Sequence, residues 1–238
     1  MRSSETSLGG PGRNFPDTVW DIVGRLNGPD RKQALEELCR GYWKPAYCYL
    51  RAGRGKSVED AKDLAQGFFA WLVEGDALRR FAPERGKFRT FFKTLLKHFA
   101  QHHEEAIARL KRGGGAVFVG LDEAAVAGLP EDPDPDRAFE EAWRDEVVRR
   151  AVDRVCERLR ASGQEVKIRA FEAYDCRAPE ARPSYAELAG RLGVAVADVK
   201  SYLYQVRQAV QSQVRDELAR LTSTREELEE EWNGFFQA

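Results

Sequence analysis

The chain has 238 residues, 42% hydrophobic and 32% charged, which supports a buried core and excludes a wholly disordered chain. It contains no run of about 18 apolar residues, which excludes a membrane-spanning helix. The net charge of −1 conceals segregation: Ala77 to Arg112 carries ten Lys/Arg against three Glu, Asp122 to Asp136 six acids and no base, and Asp216 to Ala238 seven acids and two bases. Such asymmetry predicts a basic working surface with acidic appendages.

Residues 1–16 are polar and rich in Gly and Ser, and predict a disordered tail rather than a signal peptide. Three-four spacing of apolar residues predicts helices over 18–26 and 31–42, the second burying Ala34, Leu35, Leu38 and Tyr42. Pro45 is expected to interrupt and to open the next helix, where its missing N–H costs nothing. Ser57 with Asp60 predicts a capped start to a helix reaching about Glu74. Its apolar stripe is Val58, Ala61, Leu64, Ala65, Phe68, Phe69, Leu72 and Val73, with Glu59, Asp60, Asp63 and Gln66 opposite.

Pro83 to Gly86 reads as a turn. A long helix follows to about Arg112, with Phe88, Phe91, Phe92, Leu95, Leu96 and Phe99 on its buried face. Gly113-Gly114-Gly115 ends it, and residues 113–136 read as an acidic flexible linker. Helices are predicted over 138–160 and around 168–174, before Pro179 and Pro183 break the chain. Ser184 then caps a short helix, Tyr185 to Leu192, and Gly193 turns the chain. A second helix from about Ala195 carries Val199, Leu203, Val206 and Val210 on one face, which is the helix-turn-helix pattern. The predicted fold is all-α: a helical domain over 17–112, the linker, a helix-turn-helix domain over 137–220 and an acidic extension over 221–238.

Three surfaces carry chemistry. The outer face of the last helix offers Asp198, Lys200, Ser201, Tyr204, Gln205, Arg207, Gln208 and Gln211, groups that reach phosphates and base edges. On the helix after Gly86, Arg89, Lys93 and Lys97 recur every fourth residue, continued by Gln101 and flanked by His98 and His102. That pattern suits single-stranded nucleic acid, and equally a solvated cationic face. Asp60, Asp63 and Gln66 form an acidic ridge, which is also what a helix N-terminus favours for its dipole alone.

Catalytic signals are weak. His98 and His102 have helical metal spacing, but no further Cys/His cluster supplies ligands. His103-Glu104 begins like a zinc-protease motif, yet Ile107 stands where the second His is required. Cys39, Cys48, Cys156 and Cys176 lack metal spacing and read as reduced thiols of a cytoplasmic protein. No enzyme, cofactor or metal is expected.

Taken in order, these segments resemble sigma factors of bacterial RNA polymerase, of the extracytoplasmic-function class, over roughly 17–218. Asp60-Ala61-Lys62-Asp63-Leu64-Ala65-Gln66-Gly67-Phe68-Phe69 is similar to the polymerase-binding signature. Phe88-Arg89-Thr90-Phe91-Phe92-Lys93-Thr94-Leu95-Leu96-Lys97-His98-Phe99 is similar to the promoter-melting helix. Tyr185-Ala186-Glu187-Leu188-Ala189 through Leu192-Gly193-Val194, with Val199-Lys200-Ser201, is similar to the minus-thirty-five reader. Thr18-Val19-Trp20 and Tyr42-Trp43-Lys44-Pro45 resemble a planctomycete-like branch.

The resemblance implies a factor that directs transcription initiation. Asp60, Asp63, Leu64, Gln66 and Phe69 would bind core polymerase. Arg89, Lys93, Lys97, His98, Gln101 and His102 would hold the minus-ten strand, with one base flipped. Asp198, Lys200, Ser201, Tyr204, Gln205, Arg207 and Gln208 would read the minus-thirty-five element, and the linker would run towards the RNA exit path. The implied partners are core RNA polymerase, promoter DNA and an anti-sigma factor or other regulator, without membrane insertion.

The chain departs from the family at several points. Lys62 replaces an acid and retunes docking. Ala195 replaces a Ser cap, loosening the recognition helix by about 1 kcal/mol. Tyr202 and Gln205 stand where Arg is common, and Asp198 where Thr is. The acidic tail exceeds the family pattern; it is expected to cover a basic surface, so that deleting Ser223 to Ala238 raises DNA affinity. Two readings stay open beside this one: a regulator that binds duplex DNA without joining polymerase, and an adaptor that binds only proteins.

Overall fold

The structure, a computed structural model, describes residues 25, 29–52, 56–75, 77–82, 86–110, 134–222 and 224–235. Among these the secondary structure is helical and no strand occurs. No helix is long and apolar enough to cross a membrane. The expected helix over 18–26, apart from the helical Arg25, lies outside the described residues, as do Pro83 to Arg85, Gly113 to Gly115 and the linker up to 133.

Helix α1 spans Arg31–Arg51 without a break at Pro45, which is buried inside it. The expectation of a new helix at Pro45 fails for a physical reason. An interior proline forfeits one hydrogen bond and costs about 3 kcal/mol, but burial of Tyr42, Ala46, Tyr47 and Leu50 on the same face outweighs it.

Helix α2 spans Val58–Glu74 and starts where Ser57 predicts: the Ser57 hydroxyl accepts from the Asp60 N–H at 3.1 Å. After a single 3-10 turn, Leu78–Arg80, helix α3 spans Phe88–Leu110. Phe88, Phe92, Leu96 and Ala100 form its deepest line; Phe91, Leu95 and Phe99 flank it, partly buried.

Helix α4 spans Pro135–Ala161. It begins earlier than the periodicity predicts, because Asp134 caps it, accepting from the N–H groups of Asp136 and Arg137 at 3.0 and 3.3 Å, and Pro135 takes the first helical position. Helices α5 (Glu165–Tyr174), α6 (Tyr185–Leu192) and α7 (Val196–Leu221) follow. The acidic tail closes the chain as α8, Arg225–Phe235.

The buried core does not divide where the linker was expected to divide the chain. Tyr42 of α1, Phe68 of α2, and Phe88 and Phe92 of α3 share one cluster with Phe139, Trp143 and Val147 of α4. Val214 and Leu218 of α7 and Leu228 and Phe235 of α8 belong to it too. The Tyr42 and Phe92 rings lie 4.5 Å apart and Phe139 sits 6.3 Å from Phe92. A smaller cluster, Ala170, Leu188, Ala189, Val199 and Leu203, holds the helix-turn-helix together. The segment expected as a self-contained domain over 137–220 thus has its two longest helices rooted in the core of the preceding helices. All four cysteines are free thiols, and burial pushes Cys48 up to about 11, which keeps it protonated and unreactive.

Candidate functional site

The acidic ridge stands on α2. Asp60 and Asp63 are exposed and Gln66 is half-buried. Asp60 also accepts from the Ser57 hydroxyl at 2.9 Å, so the helix cap holds one carboxylate of the ridge in place. Leu64 and Phe69, expected among the contact residues, are buried. The same period that points the acids outward seats these two in the core. Lys62 is buried as well, beside the exposed acids rather than among them.

The basic stripe of α3 is split in two. Its lower half, Lys97, His98, Gln101 and His102, is exposed. This half borders a cavity of about 570 Å³, lined among the described residues by Trp71, Arg80, Leu95, His98, Phe99 and His102. Trp71 is partly exposed and its ring lies 5.8 Å from that of Phe99. Aromatic faces beside imidazoles and a guanidinium form a place where an unstacked base can stack and its phosphates find positive charge.

The upper half is occupied. Arg89 meets Glu140 of α4 at 3.3 Å and Glu231 of α8 at 3.0 Å. Its guanidinium lies over the Trp143 ring, 4.0 Å from the centroid, an attractive cation–π geometry. Lys93 meets Glu140 at 2.8 Å and Asp136 at 3.1 Å. Lys87, unmarked in the sequence reading, meets Glu231 at 2.9 Å and Glu230 at 3.3 Å. Burial works against the charge of Lys87 and of Lys93, but the facing carboxylates outweigh it and raise both pKa values. Arg89 and Lys93 are therefore not exposed as Lys97, His98, Gln101 and His102 are.

The helix-turn-helix follows local rules closely. Ser184 and Glu187 form a reciprocal capping box: the Ser184 hydroxyl accepts from the Glu187 N–H at 3.2 Å, and the Glu187 carboxylate accepts from the Ser184 N–H at 2.8 Å. Those bonds, the backbone one first, hold the Glu187 carboxyl below its usual range. Gly193 adopts φ 69°, a left-handed conformation suited to glycine. Both its N–H and that of Val194 donate to the Ala189 carbonyl. Helix α7 has half a box only: Asp198 accepts from the Ala195 N–H at 3.1 Å, while Ala195 has no side-chain acceptor to return.

The outer face of α7 is partly committed to its neighbours. Arg207 makes a two-pronged contact with Asp175, at 2.9 and 2.7 Å. Gln205 accepts from Lys167 at 2.6 Å and donates to the Ser201 hydroxyl at 2.9 Å. Lys200, Ser201, Tyr204 and Gln208 are exposed, Tyr204 at 64%. Among the described residues no group of three or more His, Cys, Asp or Glu is placed to hold a metal ion.

The sequence reading missed Lys87, Glu140, Trp143 and Glu231 on the α3 surface, and Lys167 and Asp175 beside α7. Only the acidic counts near the linker and in the tail hinted at the first group. Compared with family models, curated proteins and solved structures, the chain finds no match.

Proposed function

We propose that this chain is a sigma factor of bacterial RNA polymerase. It joins the core enzyme through Asp60 and Asp63 on α2 and directs initiation by meeting promoter DNA with α3 and with the helix-turn-helix. In this reading the helix-turn-helix presents Lys200, Ser201, Tyr204 and Gln208 to duplex DNA. Lys97, His98, Gln101 and His102 face the melted minus-ten strand, and the aromatic cavity beside them receives a base.

One observation carries the reading: a single chain exposes an acidic pair on α2, a histidine-lysine surface over an aromatic cavity on α3, and a helix-turn-helix, α6 and α7. A regulator of duplex DNA needs only the last of these. The division into two domains over 17–112 and 137–220 belongs to the proposal as the arrangement adopted on polymerase, where the two DNA-reading surfaces must reach separate promoter elements.

The test is reconstitution with core RNA polymerase. The wild-type chain is expected to co-elute with the core enzyme, and Asp60→Arg/Asp63→Arg to lose co-elution while keeping its helical content. A chain that binds DNA yet never co-elutes would instead be a free-standing regulator.

A further inference from the structure

We infer that α8 and the first turns of α4 form a built-in cover over the upper half of the basic stripe, one that single-stranded nucleic acid must displace. The inference rests on the reading of α3 as a nucleic-acid surface. It goes beyond the expectation of an acidic tail, because it identifies the covered surface and the two carboxylates that bridge its cations.

Those carboxylates are Glu231 and Glu140. Glu231 reaches both Lys87 and Arg89, and Glu140 reaches both Arg89 and Lys93. Two acids thereby occupy Arg89 and Lys93 of the stripe and Lys87 just ahead of it. Glu231 has only 11% of its side chain exposed and Arg89 only 20%, so these pairs are drawn in from solvent and screened less by salt than an exposed pair. The negative charges sit where the phosphates of a bound strand would sit, and the two occupancies exclude one another.

The cover is held by its own apolar seat. Leu228 and Phe235 of α8 are buried, and the Phe235 ring meets Trp143 edge-on at 6.2 Å between centroids. Trp143 also lies beneath Arg89, so it supports the cover and the covered cation together. A short helix seated on a few apolar residues, with its acidic side on the cations, can be lifted by a competing polyanion. No covalent or metal-dependent step is needed.

The experiment measures binding of the full chain to a labelled single-stranded oligonucleotide by fluorescence anisotropy across a salt series. Glu140→Gln/Glu231→Gln keeps the shape of both side chains, frees Arg89 and leaves Lys93 and Lys87 only the exposed carboxylates of Asp136 and Glu230, weak partners that a phosphate can replace. It is expected to tighten binding by roughly tenfold at low salt and to steepen the dependence of log K on log salt by about 2, at about 0.7 for each further phosphate neutralised. In the wild-type chain, hydrogen exchange across Arg225–Phe235 should accelerate when the oligonucleotide binds, a readout that needs no variant.

Lys97→Glu, on the exposed half, separates the two readings. Binding that Lys97→Glu abolishes, but that the double variant leaves unchanged while α8 stays protected, overturns the cover and leaves the nucleic-acid surface standing. Binding by neither the wild type nor the double variant overturns the surface, and the cover with it.

Discussion

Ala195 opens helix α7 with its backbone already in the extended conformation of a cap, φ −74° and ψ 154°, yet it offers no acceptor. Asp198 supplies the reverse arm alone, a role that the sequence analysis, which set it among the groups expected to read the minus-thirty-five element, did not assign to it. Ala195→Ser should complete the box and stabilise the protein by about 1 kcal/mol, read from the midpoint of urea unfolding. An unchanged midpoint would mean that the N–H groups of this turn gain nothing from a side-chain acceptor. The same residue-level economy explains Arg207 and Gln205. Each has a side chain able to hydrogen-bond a base but is tied to a neighbour, Asp175 or Lys167, so Lys200, Ser201, Tyr204 and Gln208 are the groups of this face left for the proposed contact.

Helices here are built from local signals and placed by apolar faces. Phe92 of α3 is fully buried and faces Tyr42, Phe68 and Phe139, three rings from three other helices. Phe92→Ala should cost about 3–5 kcal/mol, the transfer term plus the cavity left behind, and should show as a lowered thermal midpoint. A loss below about 1 kcal/mol would mean the site collapses around the gap. The same magnitudes apportion the forces on α8. Burying Leu228 and Phe235 is worth about 1.5–3 kcal/mol each, whereas the largely buried pair of Glu231 with Arg89 has much of its attraction offset by the desolvation of both charges. Apolar burial therefore holds the helix, and its carboxylates set what it hides. Deleting Ser223 to Ala238 would remove both at once and lay bare the surface around Trp143, so charge-neutral substitutions separate the two contributions better.

Across the whole molecule, segments of opposite charge fold onto one another, and the net charge of −1 is the residue of that cancellation. One core joins α1, α2 and α3 to α4, α7 and α8, and Arg154 of α4 pairs with the buried Glu217 of α7 at 2.9 Å. The free chain should therefore unfold in a single transition, with circular dichroism and tryptophan fluorescence coincident. Two separated transitions would show that α4 and α7 leave the first three helices in solution. The helix-turn-helix cluster is too small to hold a fold alone and is expected to melt with the rest. In the proposed function, opening this shared core is the step that frees the two DNA-reading surfaces.

The amino-acid order alone was enough for most of what depends on near neighbours. The all-helical class, the caps at Ser57 and Ser184, the turn at Gly193 and the inward faces of α2 and α7 are set by periods and hydrogen bonds spanning a few residues. The expected break at Pro45 is one exception, and it fails because buried contacts from elsewhere outweigh a local penalty; the start of α4 is another, missed although the Asp134 cap that sets it is local. Which cations stay open could not be read in this way. Lys87 and Glu231 are 144 residues apart, and Lys93 and Glu140 are 47. Such pairs exist only because the apolar faces of α3, α4 and α8 pack together, and a periodicity along one helix carries no information about what is packed against it.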